Sequence, residues 1–136
     1  MNSTPRRHSQ AHAADGGGQR IARVEAQLRH LCLRSTEFSG AALIAVDGII
    51  ISNCDMQPDL LAAVASFWRS GDGLSEVLLG TKAGHITLNA GSSFLIIHAV
   101  DDQTILGLVV KEAVQLGYGL IEANKSAKAV AGILAE

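Results

Sequence analysis

The sequence predicts an α+β fold: one five-stranded antiparallel sheet with helices on both faces, in the order α-β-β-α-β-β-β-α. Three observations lead there. Asp47-Gly48 lies between two apolar runs, residues 41–46 and 49–53, which is a hairpin signal. Three further strand-length runs are separated only by short, turn-rich loops, and the middle one is apolar on both sides. Helical periodicity precedes, divides and follows these strands.

Residues 1–18 are polar, end in Gly16-Gly17-Gly18 and are expected to form a flexible tail. Residues 19–136 are long enough for one domain with its own core. Ile21, Val24, Leu28 and Leu31 recur at three- and four-residue spacing, with Arg20, Arg23, Glu25 and Arg29 between them. This predicts an amphipathic helix that Ser39-Gly40 ends. A type I′ turn at Asp47-Gly48 then sets Val46 opposite Ile49 and Ile44 opposite Ile51. Pro58 suits the first turn of the next helix, which carries no charged side chain between Asp59 and Arg69. A surface helix normally keeps one wet face, so this one is expected to touch protein on more than one side. Gly71-Asp72-Gly73 either breaks it or lets a further turn restart through Leu74 to Leu79, and the sequence leaves both open. Residues 80–84 read as a loop.

Three strands follow, residues 85–89, 94–100 and 104–110, joined by loops at 90–93 and 101–103. Simple hairpins set Leu88 opposite Leu95 and Ile96 opposite Leu108. Phe94, Ile96 and Val100 then share one face, and Leu95, Ile97 and Ala99 the other. Both faces are apolar, so helices must cover both. His85, Thr87 and Asn89 make the first of these strands polar on one side, as befits an edge. The last helix, residues 113–135, repeats Leu116, Leu120, Ala123, Ala127, Val130 and Leu134 along one stripe.

Composition excludes several function classes. A net charge of −2 gives no basic field for nucleic acid, and 4% aromatic residues give few base-stacking platforms. Arg6-Arg7 has no apolar stretch after it, so neither a signal peptide nor a membrane anchor is expected, and a cytoplasmic location is. Cys32 and Cys54 lack metal-type spacing and read as buried thiols of a reducing compartment rather than a disulfide. Gly80-Thr81-Lys82-Ala83-Gly84 lacks the ending of a phosphate loop, and no Gly-x-Ser-x-Gly elbow occurs. No catalytic set, cofactor or resident metal is expected.

The remaining candidates are single residues or pairs. Asp101-Asp102 reads as a solvated turn. His85 and His98 are directly opposed in the simplest register, but zinc wants three or four protein ligands. A structural or interfacial pair is therefore favoured over a metal site or a pH-sensitive contact. Arg69 reads as the end of an interface helix in preference to an arginine finger. Phe67 and Trp68 are anchors that divide between core and interface, and Trp68→Glu is expected to break association while leaving a folded chain.

The element order, the Ala-Ala-Leu-Ile-Ala-Val-Asp-Gly-Ile-Ile-Ile-Ser hairpin and the Leu-Ala-Ala-Val-Ala helix resemble the Roadblock family, the dynein-light-chain type domain. The resemblance spans residues 21–134 and is nearest to the stand-alone bacterial members, which partner small Ras-like GTPases. It implies a Roadblock-like, profilin-like sandwich and a non-catalytic homodimer that modulates a GTPase's activity or location. By the same resemblance, Leu60, Leu61, Val64, Trp68, His85, Thr87 and Asn89 fall at the dimer contact. Ser66, Arg69 and Asp72 fall at the GTPase contact. An alternative is a small-ligand sensory domain of profilin-like or GAF-like type, which needs convergent polar groups in a cavity. The aliphatic sheet faces offer few.

Overall fold

The structure, a computed structural model, describes residues 3–136, with side chains described for residues 17–112 and 114–136. Its elements are α1 (Ser3–Cys32), β1 (Phe38–Ala45), β2 (Ile50–Cys54), α2 (Pro58–Leu79), β3 (His85–Ala90), β4 (Ser93–Asp101), β5 (Thr104–Val110), a 3₁₀ turn (Ala113–Gln115) and α3 (Leu116–Leu134). The sheet is antiparallel throughout, in the order β2-β1-β5-β4-β3. Pairing of β1 with β5 joins the early hairpin to the later meander and leaves β2 and β3 as the two edges.

Helical backbone begins at Ser3, ahead of the Gln19 start that hydrophobic periodicity gives, and so enters the segment expected to be a tail. The described side chains of residues 17–23 are exposed, and Val24 is the first that is buried. Val24, Leu28 and Leu31 pack with Ala123, Ala127 and Val130 of α3 against Leu43, Ile96, Leu106 and Leu108. The opposite face is covered by α2 alone, through Leu61, Val64, Ala65 and Trp68 over Ala42, Ile44, Ile97 and Ile105. Sheet residues alternate between these two cores, as the period of two requires.

Within the meander Leu88 pairs with Leu95, Ile96 with Leu108 and His85 with His98, as the short loops predict. Gly91 takes φ +70 in the two-residue β3–β4 turn, which suits a type II′ hairpin. The β1–β2 turn differs from expectation. Gly48 has φ +101, but Asp47 stays at negative φ, so the turn is not type I′. The Gly48 N–H donates to Ala45 O at 2.9 Å and the Ala45 N–H to Ile49 O at 2.8 Å, closing a three-residue loop with glycine at its bulge. Asp47 Oδ1 accepts from the Ile49 N–H at 3.2 Å and holds that shape. In consequence Ile44 pairs with Ile50 instead of Ile51, and the expected register resumes at Leu43 and Ser52.

α2 runs unbroken through Gly71-Asp72-Gly73 and stops at Gly80, whose φ of +70 forms a left-handed cap. Gly71 has a packing reason to be small: a Cβ there would lie 2.4 Å from Ile86 Cδ1, so the α2 backbone approaches β3 closely.

One buried carboxylate locks α3 to the turn that follows α1. Glu122 of α3 is buried, accepts from Arg34 Nε at 2.6 Å and lies 3.6 Å from Lys125 Nζ. Burial works against the Glu122 carboxylate, but the Arg34 hydrogen bond and the Arg34 and Lys125 charges outweigh it and hold its pKa below the usual carboxylate range. A depressed folded pKa gives stabilisation that is full above the unfolded value, about 4.3, and is lost as the pH falls through the lower folded value. Glu122→Gln is therefore expected to flatten the acid side of a stability-versus-pH curve. Arg34→Ala is expected to lower the melting temperature at pH 7 more than Glu122→Gln does, because it leaves a buried carboxylate with weaker partners. Thermal melts of both variants between pH 3 and 7 check this.

Candidate protein-interaction site

α2 carries two apolar stripes. Leu61, Val64, Ala65 and Trp68 face the sheet and are buried. Leu60, Phe67, Leu74 and Leu78 recur at seven- and four-residue spacing beside that stripe, and are 42, 39, 59 and 70% exposed. Their side of the helix looks toward β3. Phe67, Leu74, Leu78, Gly71 and Ile86 wall a groove of ≈ 590 Å³ that His85 and Lys82 also line. Below the groove runs the outer edge of β3, paired with β4 on its other side only. Leu88, also exposed, lies on the same sheet face as Ile86. Edge strands are usually protected by charge, proline or a bulge. His85–Ala90 contains no acidic, lysine, arginine or proline residue, and its pairing with β4 has no bulge.

The arrangement offers hydrophobic area and free backbone hydrogen-bonding groups side by side. Among the described residues no group of three or more His, Cys, Asp or Glu side chains is placed to hold a metal ion. No described helix is long and apolar enough to cross a membrane.

Solved structures with this architecture are consistent in kind. MglB from Myxococcus xanthus is similar over 85% of this chain and 90% of its own, at 14% identity and a TM-score of 0.76. The gliding protein MglB from Thermus thermophilus matches 85% of this chain and 88% of its own, at 18% identity and a TM-score of 0.71. A Roadblock/LC7 domain from Streptomyces avermitilis matches 82% and 98%, at 20% identity and 0.67. The fold is Roadblock-like, of the MglB type. No family model and no curated protein matches the sequence.

Within this Roadblock-like fold the expected contact residues separate. Leu60, His85, Thr87 and Asn89 are exposed on α2 and on the β3 edge. Leu61, Val64 and Trp68, expected at the dimer contact, are instead in the chain's own core, because the sheet lies under that stripe. Of the expected GTPase-contact residues Ser66 is exposed, whereas the other two bond within the chain. Arg69 Nη1 donates to the Val46 carbonyl and ties α2 to the β1–β2 hairpin. Asp72 is half-buried and accepts from the Ala83 N–H at 2.8 Å, fastening the loop that follows α2.

His85 and His98 stack, with ring centroids 5.9 Å apart and planes at 15°. His98 Nδ1 sits 2.8 Å from the Ala99 carbonyl and Nε2 3.1 Å from Asn124 Nδ2. A carbonyl oxygen can only accept, so Nδ1–H donates to Ala99. Nε2 is engaged by the Asn124 amide, so a metal there would have to displace that contact. The stacked rings join β3 to β4, and His98 reaches α3 through Asn124.

The residues missed in the sequence are Phe67 as a groove wall and Leu74 and Leu78 as the continuation of its stripe. Their seven- and four-residue spacing from Leu60 was the available signal, hidden by Gly71 and Gly73 between them.

Proposed function

We propose that this protein is a non-catalytic regulatory module that forms a homodimer through α2 and the β3 edge and binds a small Ras-like GTPase, modulating its activity or location. The observation that carries the reading is the exposed stripe Leu60, Phe67, Leu74 and Leu78 beside an unprotected strand edge. A second copy related by a two-fold axis satisfies both features at once: the β3 strands pair across the edges, and the two stripes bury each other. Monomers rarely leave such a contiguous apolar patch in water. Leu60, His85, Thr87 and Asn89 belong to this contact, with Leu61, Val64 and Trp68 supporting it from beneath. In the dimer the outer surfaces of the paired α2 helices, around Ser66, form the GTPase platform. The likeness of the fold to MglB supports the choice of partner. A cytoplasmic setting follows from that partner class.

The GTPase half of the reading is tested by mixing the chain with each small Ras-like GTPase of the same cell, in GDP-bound and GTP-analogue-bound forms. Co-elution with one of them, and preference for one nucleotide state, is the expected result. Failure of every such protein to bind contradicts the GTPase assignment and leaves the dimer to its own test.

A further inference from the structure

Cys32 ends α1 and Cys54 ends β2, and the fold brings these two distant positions together. The Cys32 thiol lies 3.9 Å from the Cys54 carbonyl oxygen. Cys32 and Cys54 also pack side by side against the same core, beneath α1 and the sheet. Ala41 is the β1 residue that pairs with Cys54, so the contact sits directly over the β1–β2 ladder. Both cysteines are free and half-buried, and both line a pocket of ≈ 410 Å³ that Arg29, Leu33 and Asp55 also wall. They are the chain's only two cysteines.

Both ends of the pair are held in place. Leu28 and Leu31, on the last turns of α1, are fully buried. On the other side, Asn53 accepts from the Met56 N–H at 3.0 Å and donates to the Met56 carbonyl at 2.7 Å, clamping the turn that contains Cys54. Asp55 within that turn has φ +66. Gly40 lets it pack onto β1, because a Cβ there would lie 2.8 Å from Met56 Cγ and 3.1 Å from the Asp55 carbonyl. Such positioning gives one thiol a high effective concentration at the other.

We propose that Cys32 and Cys54 form a redox-modifiable dithiol that closes to an intrachain disulfide, stapling the end of α1 to the β2 edge strand. The oxidant is a low-molecular-weight disulfide. One cysteine thiolate attacks one of its sulfurs, forming a mixed disulfide and expelling a small thiolate that takes up a proton. The other cysteine's thiolate then attacks the sulfur of the first, forms the Cys32–Cys54 bond and expels the second small thiolate, which takes up the other proton. Two protein thiols lose two electrons, and the small disulfide gains them as two thiols. Burial pushes the Cys32 thiol up to about 12, with the neighbouring Cys54 thiol and Asp55 adding to the shift. Little Cys32 thiolate is therefore present at neutral pH, which slows its part in the exchange. This inference stands apart from the GTPase reading.

The test incubates the native full chain with oxidised glutathione, then measures intact mass and melting temperature. Expected are loss of two hydrogens without a retained glutathione, a digest in which the Cys32 and Cys54 peptides are linked, and a melting temperature several degrees higher. Closure is expected to be faster in buffer than in denaturing urea. Cys32→Ser is expected to hold glutathione on Cys54, because nothing resolves it. Stable adducts on the unsubstituted chain, disulfides between chains, no reaction, or equal rates in buffer and urea each overturn the proposal.

Discussion

Leu74→Glu is expected to turn the proposed dimer into a monomer without altering the fold of the chain. Leu74 is 59% exposed on the groove side of α2, so the substitution removes little packing from an isolated subunit. Leu and Glu are also comparable helix formers, and exposed substitutions of this kind stay within about 0.5 kcal/mol. Association is another matter. A carboxylate pressed into an apolar contact without a partner costs several kcal/mol, and the two-fold axis counts each change twice. A loss of about 3 kcal/mol already weakens the dimer at least a hundredfold. Sedimentation equilibrium should therefore show one chain at concentrations where the unsubstituted protein shows two, with the monomer's circular dichroism unchanged.

Trp68→Ala has the opposite signature. Trp68 is 5% exposed and lies between α2 and the sheet with Ile97 and Ile105 in the same core. Removing a buried indole costs about 3–5 kcal/mol, a large part of the roughly 5–15 kcal/mol typical of a domain. The melting temperature should fall steeply, and Trp68→Glu should not give a folded chain at all. This reverses the expectation drawn from the sequence, where Trp68→Glu was to spare the fold. The contrast between the two variants is informative: one changes mass without changing stability, and the other changes stability first. A chain in which Leu74→Glu and Trp68→Ala behaved alike would mean that the two stripes of α2 do not have separate jobs.

How far the sequence reached depended on how local the deciding contact was. The meander was legible down to the pairing of His85 with His98, because its loops are short and alternation fixes which side chains share a face. At the first hairpin the Asp-Gly signal was right about the turn and wrong about its type. Asp47 kept ordinary φ and used its carboxylate on the Ile49 N–H, which a dipeptide preference does not reveal. On α2 the lack of charge between Asp59 and Arg69 pointed to contact on more than one side, but an apolar residue does not say which neighbour it meets. Hence Phe67 and Trp68, adjacent in sequence, could not be sorted until the sheet was placed beneath one of them. Whether the helix continued past Gly71 stayed open because that residue's reason for being small lies far along the chain, at Ile86. Arg34 with Glu122, and Cys32 with Cys54, are likewise long-range pairs that no window of sequence joins.

Two copies meeting through α2 and β3 are central to the proposed function, and the solution mass of the purified chain tests that meeting most directly. Light scattering on a sizing column at micromolar concentration should give the mass of two chains for the unsubstituted protein. A mass of one chain would leave the stripe from Leu60 to Leu78 facing water and would contradict the dimer.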